Sequence, residues 1–142
     1  MRFRRLGCQY VLRLDPGEEL RSTLGAFADR EGIRIASFLA TGVLNRAELR
    51  CFDVGAEHER VREVDQPVEV VSLIGSIVST GQTSSIHMHA TVSDAQSASH
   101  NGHLDAGAAG PALDVFLTSL AGALPKQHDP DTKRELLGLA GA

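Results

Sequence analysis

Tyr10-Val11-Leu12-Arg13-Leu14-Asp15-Pro16-Gly17-Glu18-Glu19-Leu20 is where the chain changes its period. Up to Leu14 the apolar positions Tyr10, Leu12 and Leu14 recur every second residue, so Gly7–Leu14 reads as a strand. After it the period becomes helical. Asp15 suits an N-cap, Pro16 the first helical position, and Glu18 stands where a capping box wants its acid. Leu20, Leu24, Phe27 and Ala28 then fall on one face, and Gly32 supplies the stop.

No later segment repeats that helical pattern. Ile33–Leu44 reads as a strand interrupted at Thr41-Gly42, and Asn45-Arg46 as a turn into a second strand, Ala47–Asp53. Val54–Gln66 is polar and reads as a loop with one short edge strand. Val68–Ser79 is the most apolar run, and its β-branched residues predict a strand buried on both faces. Ser79–Ser85 is a polar turn and Ser85–Ser93 a further strand. Asp94–Gly102 reads as a loop, His103-Leu104 as a short extended piece, and Ala112–Leu120 as a last long strand beyond the breaks at Gly107–Pro111. Many strands and one helix predict an α+β single domain rather than alternating βαβ units. Past Ala121 the pattern fades. Thr132 and Glu135 fit either a capped turn or a strand end.

Composition narrows the function classes. A chain of 142 residues allows one domain. At 42% apolar and 23% charged it has globular rather than disordered usage. A net charge of -4 argues against strong non-specific DNA binding by the bare domain. Aromatic content of 4%, with no Trp, is thin for a base-stacking platform. Arg2, Arg4 and Arg5 form the one basic cluster and read as a solvated terminus. Cys8 and Cys51 read as buried free thiols on strands. No apolar run approaches the ~20 residues of a membrane span, and no signal-peptide pattern opens the chain. The expectation is a cytoplasmic protein without membrane partners.

The chemistry concentrates in Ile86-His87-Met88-His89. On a strand, residues i and i+2 share a face, so His87 and His89 stand together with Met88 on the other side. His100 and His103 flank Asn101-Gly102, where glycine permits a tight turn that returns the chain. Three imidazoles with an open fourth position make a catalytic-type zinc arrangement that also suits nickel, copper or iron. His58 and His128 stand apart and read as surface residues. Gly81, His87, His89 and Asp94 approach a first cupin motif, but the acid is Asp and the second motif is missing. Glu69, inside the apolar run, needs a partner such as Arg13, or else lines the pocket as a base. Asp94 is the other candidate base. These residues leave two function classes open, a metal-dependent enzyme or sensor and a binding module.

Several stretches in order resemble one family. They are Val11–Leu20, Ala40-Thr41-Gly42-Val43-Leu44, Val68–Gly75, His87–Asp94 and Gly102-His103-Leu104. Together they resemble the PPC domain, the plants-and-prokaryotes conserved domain also called DUF296, over residues 5–122. Residues 123–142 are left as a C-terminal tail. The resemblance implies a strongly curved, mostly antiparallel sheet with one main helix, and a homotrimer. It implies a DNA-associated regulator, in which plant members grip DNA through AT-hooks while this domain drives assembly. No Arg-Gly-Arg-Pro core of an AT-hook occurs here. It also implies a divalent metal, zinc among the candidates, on His87, His89 and His103. The family's Gly-Gly-His-Leu is Asn101-Gly102-His103-Leu104 in this chain.

Overall fold

Alternating apolar residues become strands throughout the chain. The computed structural model describes residues 1–52, 59–79, 84–131 and 133–139. A first hairpin joins β1 (Arg2–Leu6) to β2 (Gln9–Leu14), and the helix α1 (Leu20–Glu31) follows. Next come β3 (Ile35–Phe52), β4 (Glu59–Val64), β5 (Val68–Ser79), β6 (Ser84–Ser93) and β7 (Ser99–Leu120). A small separate hairpin, β8 (Lys126–Asp129) and β9 (Arg134–Leu137), ends the described chain. The large sheet runs β1-β2-β7-β6-β5-β3-β4, with antiparallel neighbours throughout. Strand β7 also pairs with β3. That pairing bends the sheet until β3, β5, β6 and β7 form a closed circuit. The architecture is α+β, with one helix among the described residues, as the periodicities predict.

The helix begins later than its capping signals suggest. Its N-cap is Glu19, whose carboxylate accepts from the backbone N–H of Arg21 and Ser22. Asp15 and Glu18 do interact as in a capping box, since Glu18 accepts from the Asp15 N–H at 2.7 Å. That contact closes a turn instead. Residues 17–19 are pulled onto β7, where Gly17 N–H donates to Ala109 O and Ala109 N–H to Glu18 O, both at 2.8 Å. The apolar face is as expected: Leu20, Leu24, Phe27 and Ala28 are all buried. Phe27 meets Tyr10 and Phe3 edge-on, at 5.3 and 5.1 Å between ring centres. The helix ends at Gly32.

The sequence breaks in β3 and β7 are bulges, not ends. Strand β3 runs 18 residues through Thr41-Gly42 and Asn45-Arg46, with register shifts on either side of Leu44. The Asn45 side chain, expected in a turn, donates to Ala109 O at 3.1 Å and bridges the irregularity. Strand β7 runs 22 residues and absorbs both the loop expected up to Gly102 and the Gly107–Pro111 break. Pro111 falls where the register against β3 jumps from Leu113 to Ala109. There its missing N–H costs no ladder bond.

Strand β5 buries one face over most of its length and both faces only at Ile77-Val78. Val68, Val70, Leu73 and Ile77 are buried, while Val71 and Ile74 are exposed. Glu69 is exposed as well, opposite Ser93, and does not meet Arg13. Arg13 instead forms a two-point ion pair with Asp114, at 2.6 and 2.7 Å. Cys8 is exposed in the β1–β2 turn rather than buried on a strand, and Cys51 is half-buried on β3. Both thiols are free. The expected edge strand in the polar stretch is β4. His58, Gly81 and Thr132 lie outside the described residues. Among the described residues no helix is long and apolar enough to cross a membrane.

Candidate metal centre

His87 and His89 project from one face of β6, as their i, i+2 spacing requires, while Met88 is fully buried behind them. Register supplies the third imidazole. His103 on β7 is the cross-strand partner of His89. The ring centres are 5.0 Å (His87–His89), 4.8 Å (His87–His103) and 5.4 Å (His89–His103) apart. One nitrogen from each ring lies within 4.8 Å of the other two. Zinc–nitrogen bonds of about 2.0–2.1 Å at tetrahedral angles separate ligand atoms by about 3.4 Å. Ring movements on the order of 1 Å, within side-chain reach, would therefore complete a three-nitrogen shell. The donor set fits a borderline divalent cation. The cluster belongs to one chain.

Three features hold this geometry. The chain returns to β6 by a turn at Asp94–Ala98, closed by Ser97 N–H to Asp94 O at 2.9 Å and Asp94 N–H to Ala98 O at 3.0 Å. Gly102 is therefore not the turn residue. It sits inside β7 opposite Ala90, with φ +156°, where an added Cβ would lie 2.6 Å from Arg50 O. Its role is to let β3 approach β7 beneath the site. The third feature, Arg21, gave no signal in the sequence. From the first turn of α1 it donates to the carbonyls of Ile86, Leu104 (2.6 Å) and Asp105 (3.0 Å). One guanidinium thus ties the residue before His87 to the residues after His103.

Electrostatics favours the ligating form. Desolvation holds the His87 imidazole below its ordinary pKa, and the neighbouring His103 and His89 rings add to the effect. Desolvation also lowers His103, partly opposed by the Asp105 carboxylate and assisted by Arg21. Neutral rings can bind a cation without first losing protons.

The remaining candidates lie elsewhere. His100 is turned to Asp94, with Nε2 2.9 Å from Oδ2, and its Nδ1 is 3.0 Å from an Arg62 nitrogen. Asp94, the acid of the cupin-like spacing, is thereby committed to the turn and not to the cluster. His128 is exposed on β8. The His100 contact and the N–H groups of Ala98 and Gln96 hold the Asp94 carboxyl below the usual Asp range. A depressed folded pKa contributes stability above the unfolded value and loses it as pH falls through the folded value. Asp94→Asn is accordingly expected to be less stable than wild type at neutral pH. The gap should close as pH drops below 3.8, the ordinary Asp value. Urea titrations across pH check this, and a gap that persists undiminished in acid would refute it.

A closed, single-helix sheet with three imidazoles gathered on its outer face defines the class, and the comparisons with known proteins then name it. The model of the Plants and Prokaryotes Conserved (PCC) domain matches residues 1–121, and the chain belongs to that family. Among solved structures it is similar to one from Ralstonia eutropha with a provisional DNA-binding name, at 27% identity and TM-score 0.86 over 96% of this chain and 95% of that one. It is also similar to a metal-containing protein from Archaeoglobus fulgidus, at 26% identity and TM-score 0.81 over 96% and 98% of the two chains. A curated relative, the bifunctional protein GlmU of Synechococcus, is 32% identical over 126 residues. That match covers 87% of this chain and 19% of the relative, so the chain spans about a fifth of that protein's length.

Proposed function

We propose that the domain is a homotrimeric assembly module carrying one divalent metal, zinc in the first instance, on His87, His89 and His103. The convergence of the three rings carries this reading. An ion so held keeps a coordination position for water or an anionic ligand. The metal-containing relative from Archaeoglobus supports it. Metal analysis of protein purified without a histidine tag should find about one ion per chain. A trace amount, unchanged in His87→Ala, would count against the site.

The assembly reading has its own surface. Phe116, Leu39 and Ile74 are successive cross-strand partners on one exposed row, 45%, 50% and 60% accessible, and the row continues to His89. Contiguous exposed apolar groups of this kind mark contact surfaces. Light scattering of wild type should return three times the monomer mass, and Ile74→Glu should lower it. A clean wild-type monomer overturns the trimer.

Any association with DNA would run through partners, given the acidic net charge of -4. Tight binding with a steep salt slope in a gel shift would reverse that view. A second reading, a metal-dependent enzyme or sensor, is favoured by one observation. His87 and His89 line a groove of about 640 Å³ together with Leu39, Ile74, Phe116 and Thr118, room for a small molecule beside the ion.

A further inference from the structure

We propose that Asp105 is the positioning carboxylate of the histidine cluster, fixing the His103 ring through its Nε2 so that Nδ1 is presented to the metal. The inference rests on the metal-site reading above and deepens it. Metal-bound imidazoles need an acceptor for their second ring nitrogen, and that acceptor sets which nitrogen ligates. Asp105 Oδ1 stands 3.6 Å from His103 Nε2, just beyond hydrogen-bond range, so a small shift of the ring would bring its N–H to the carboxylate.

The carboxylate is itself held in place. Its other oxygen, Oδ2, accepts from Arg50 Nε at 2.8 Å, and Arg50 is the cross-strand partner of His103. One oxygen thus faces the guanidinium and one faces the imidazole. The main chain is fixed too, because the Asp105 carbonyl accepts from Arg21. A break in register puts the side chain there. Leu49 pairs with Leu104 and Glu48 with Ala106, so Asp105 is the extra residue of a bulge. Bulges beside functional sites re-aim side chains in this way. Asp105 and His103 are both mostly shielded, with 18% and 26% of their side chains exposed, so the contact is not a loose surface pair.

Asp105→Asn separates this role from simple packing. Arg50 demands an acceptor, so the amide oxygen turns to the guanidinium. The amide N–H₂ then meets the His103 N–H, donor against donor. Zinc affinity, measured by competition with a chromophoric chelator, should fall about 10–100-fold. The visible bands of the cobalt(II)-loaded protein should shift, and Asp105→Glu should recover part of both. Metal-free Asp105→Asn should melt close to metal-free wild type. Wild-type affinity and an unchanged cobalt spectrum in Asp105→Asn overturn the proposal while leaving the three-histidine site standing. So does a lower melting point with an unaltered spectrum, which makes Asp105 structural only. If wild type takes up neither zinc nor cobalt, the metal site itself fails, a result distinct from either.

Discussion

Gly42→Ala should leave little folded protein. Gly42 lies in β3 at the point where its register against β5 and β7 shifts. Its φ of +126° is strained for any residue with a side chain, and an added Cβ would lie 1.7 Å from Ala112 O and 2.8 Å from Ala112 C. Those atoms are backbone, so no rotamer change relieves the clash. Strained φ costs about 1–3 kcal/mol, and overpacking typically adds about 1–3 kcal/mol. The upper end of that sum, about 6 kcal/mol, reaches the lower end of an ordinary domain's stability of about 5–15 kcal/mol. A 1.7 Å approach to backbone puts this site at the upper end. Gly122→Ala is the control, because Gly122 has φ +112° but nothing within 4 Å of its Cβ position. It should pay the conformational cost alone. Chemical denaturation of both variants separates the two contributions. A Gly42→Ala midpoint equal to that of wild type would contradict the close passage of β3 over the β7 bulge.

Removing any one of His87, His89 or His103 should abolish tight zinc binding, the second large effect. Two imidazoles leave half of a four-coordinate shell to water, where wild type leaves one position. Zinc at a thousandfold excess over its dissociation constant stabilises a folded protein by about 4 kcal/mol. Wild type should therefore melt many degrees higher with zinc than without it, and each alanine variant should show almost no zinc-dependent rise. His100→Ala is the informative contrast. It sits three residues before His103, yet is directed to Asp94 and Arg62, so its zinc response should match wild type. Acidity adds a further check. The neutral ring is the ligand, and desolvation keeps His87 and His103 neutral below the ordinary value of 6.5. Zinc uptake should accordingly persist at pH 6.5 and fail only as pH falls further. Release already complete at that pH would contradict the desolvated site.

The parts of this molecule legible in sequence are those set by local spacing. The helix face at Leu20, Leu24, Phe27 and Ala28, and the shared face of His87 and His89, follow from periods of 3.6 and 2. His103 was identified by a different logic, resemblance and proximity, and the structure brings it to His89 through strand register rather than through a glycine turn. The continuity of β3 and β7 was not legible. Gly42, Asn45, Gly107 and Pro111 are ordinary break signals, and only pairing with a distant strand converts breaks into bulges. The late start of α1 has the same origin, since β7 draws residues 17–19 into pairing at Ala108 and Ala109. Arg21 and Asp105 are not legible in the sequence because neither forms a motif. Each acts through contacts that only the folded chain creates.

Strand β7 has one further consequence, and it concerns the order of events during synthesis. It supplies partners to β2, β3 and β6 at once, pairing Gln9 with Thr118 and Ile35 with Leu120. All residues through Leu120 must therefore leave the ribosome before the circuit can shut. Until then the β1–β2 hairpin and β3 wait with open edges, and loop-closure entropy makes such distant pairings slow to form. Folding rate and the risk of premature aggregation should both be governed by when β7 emerges.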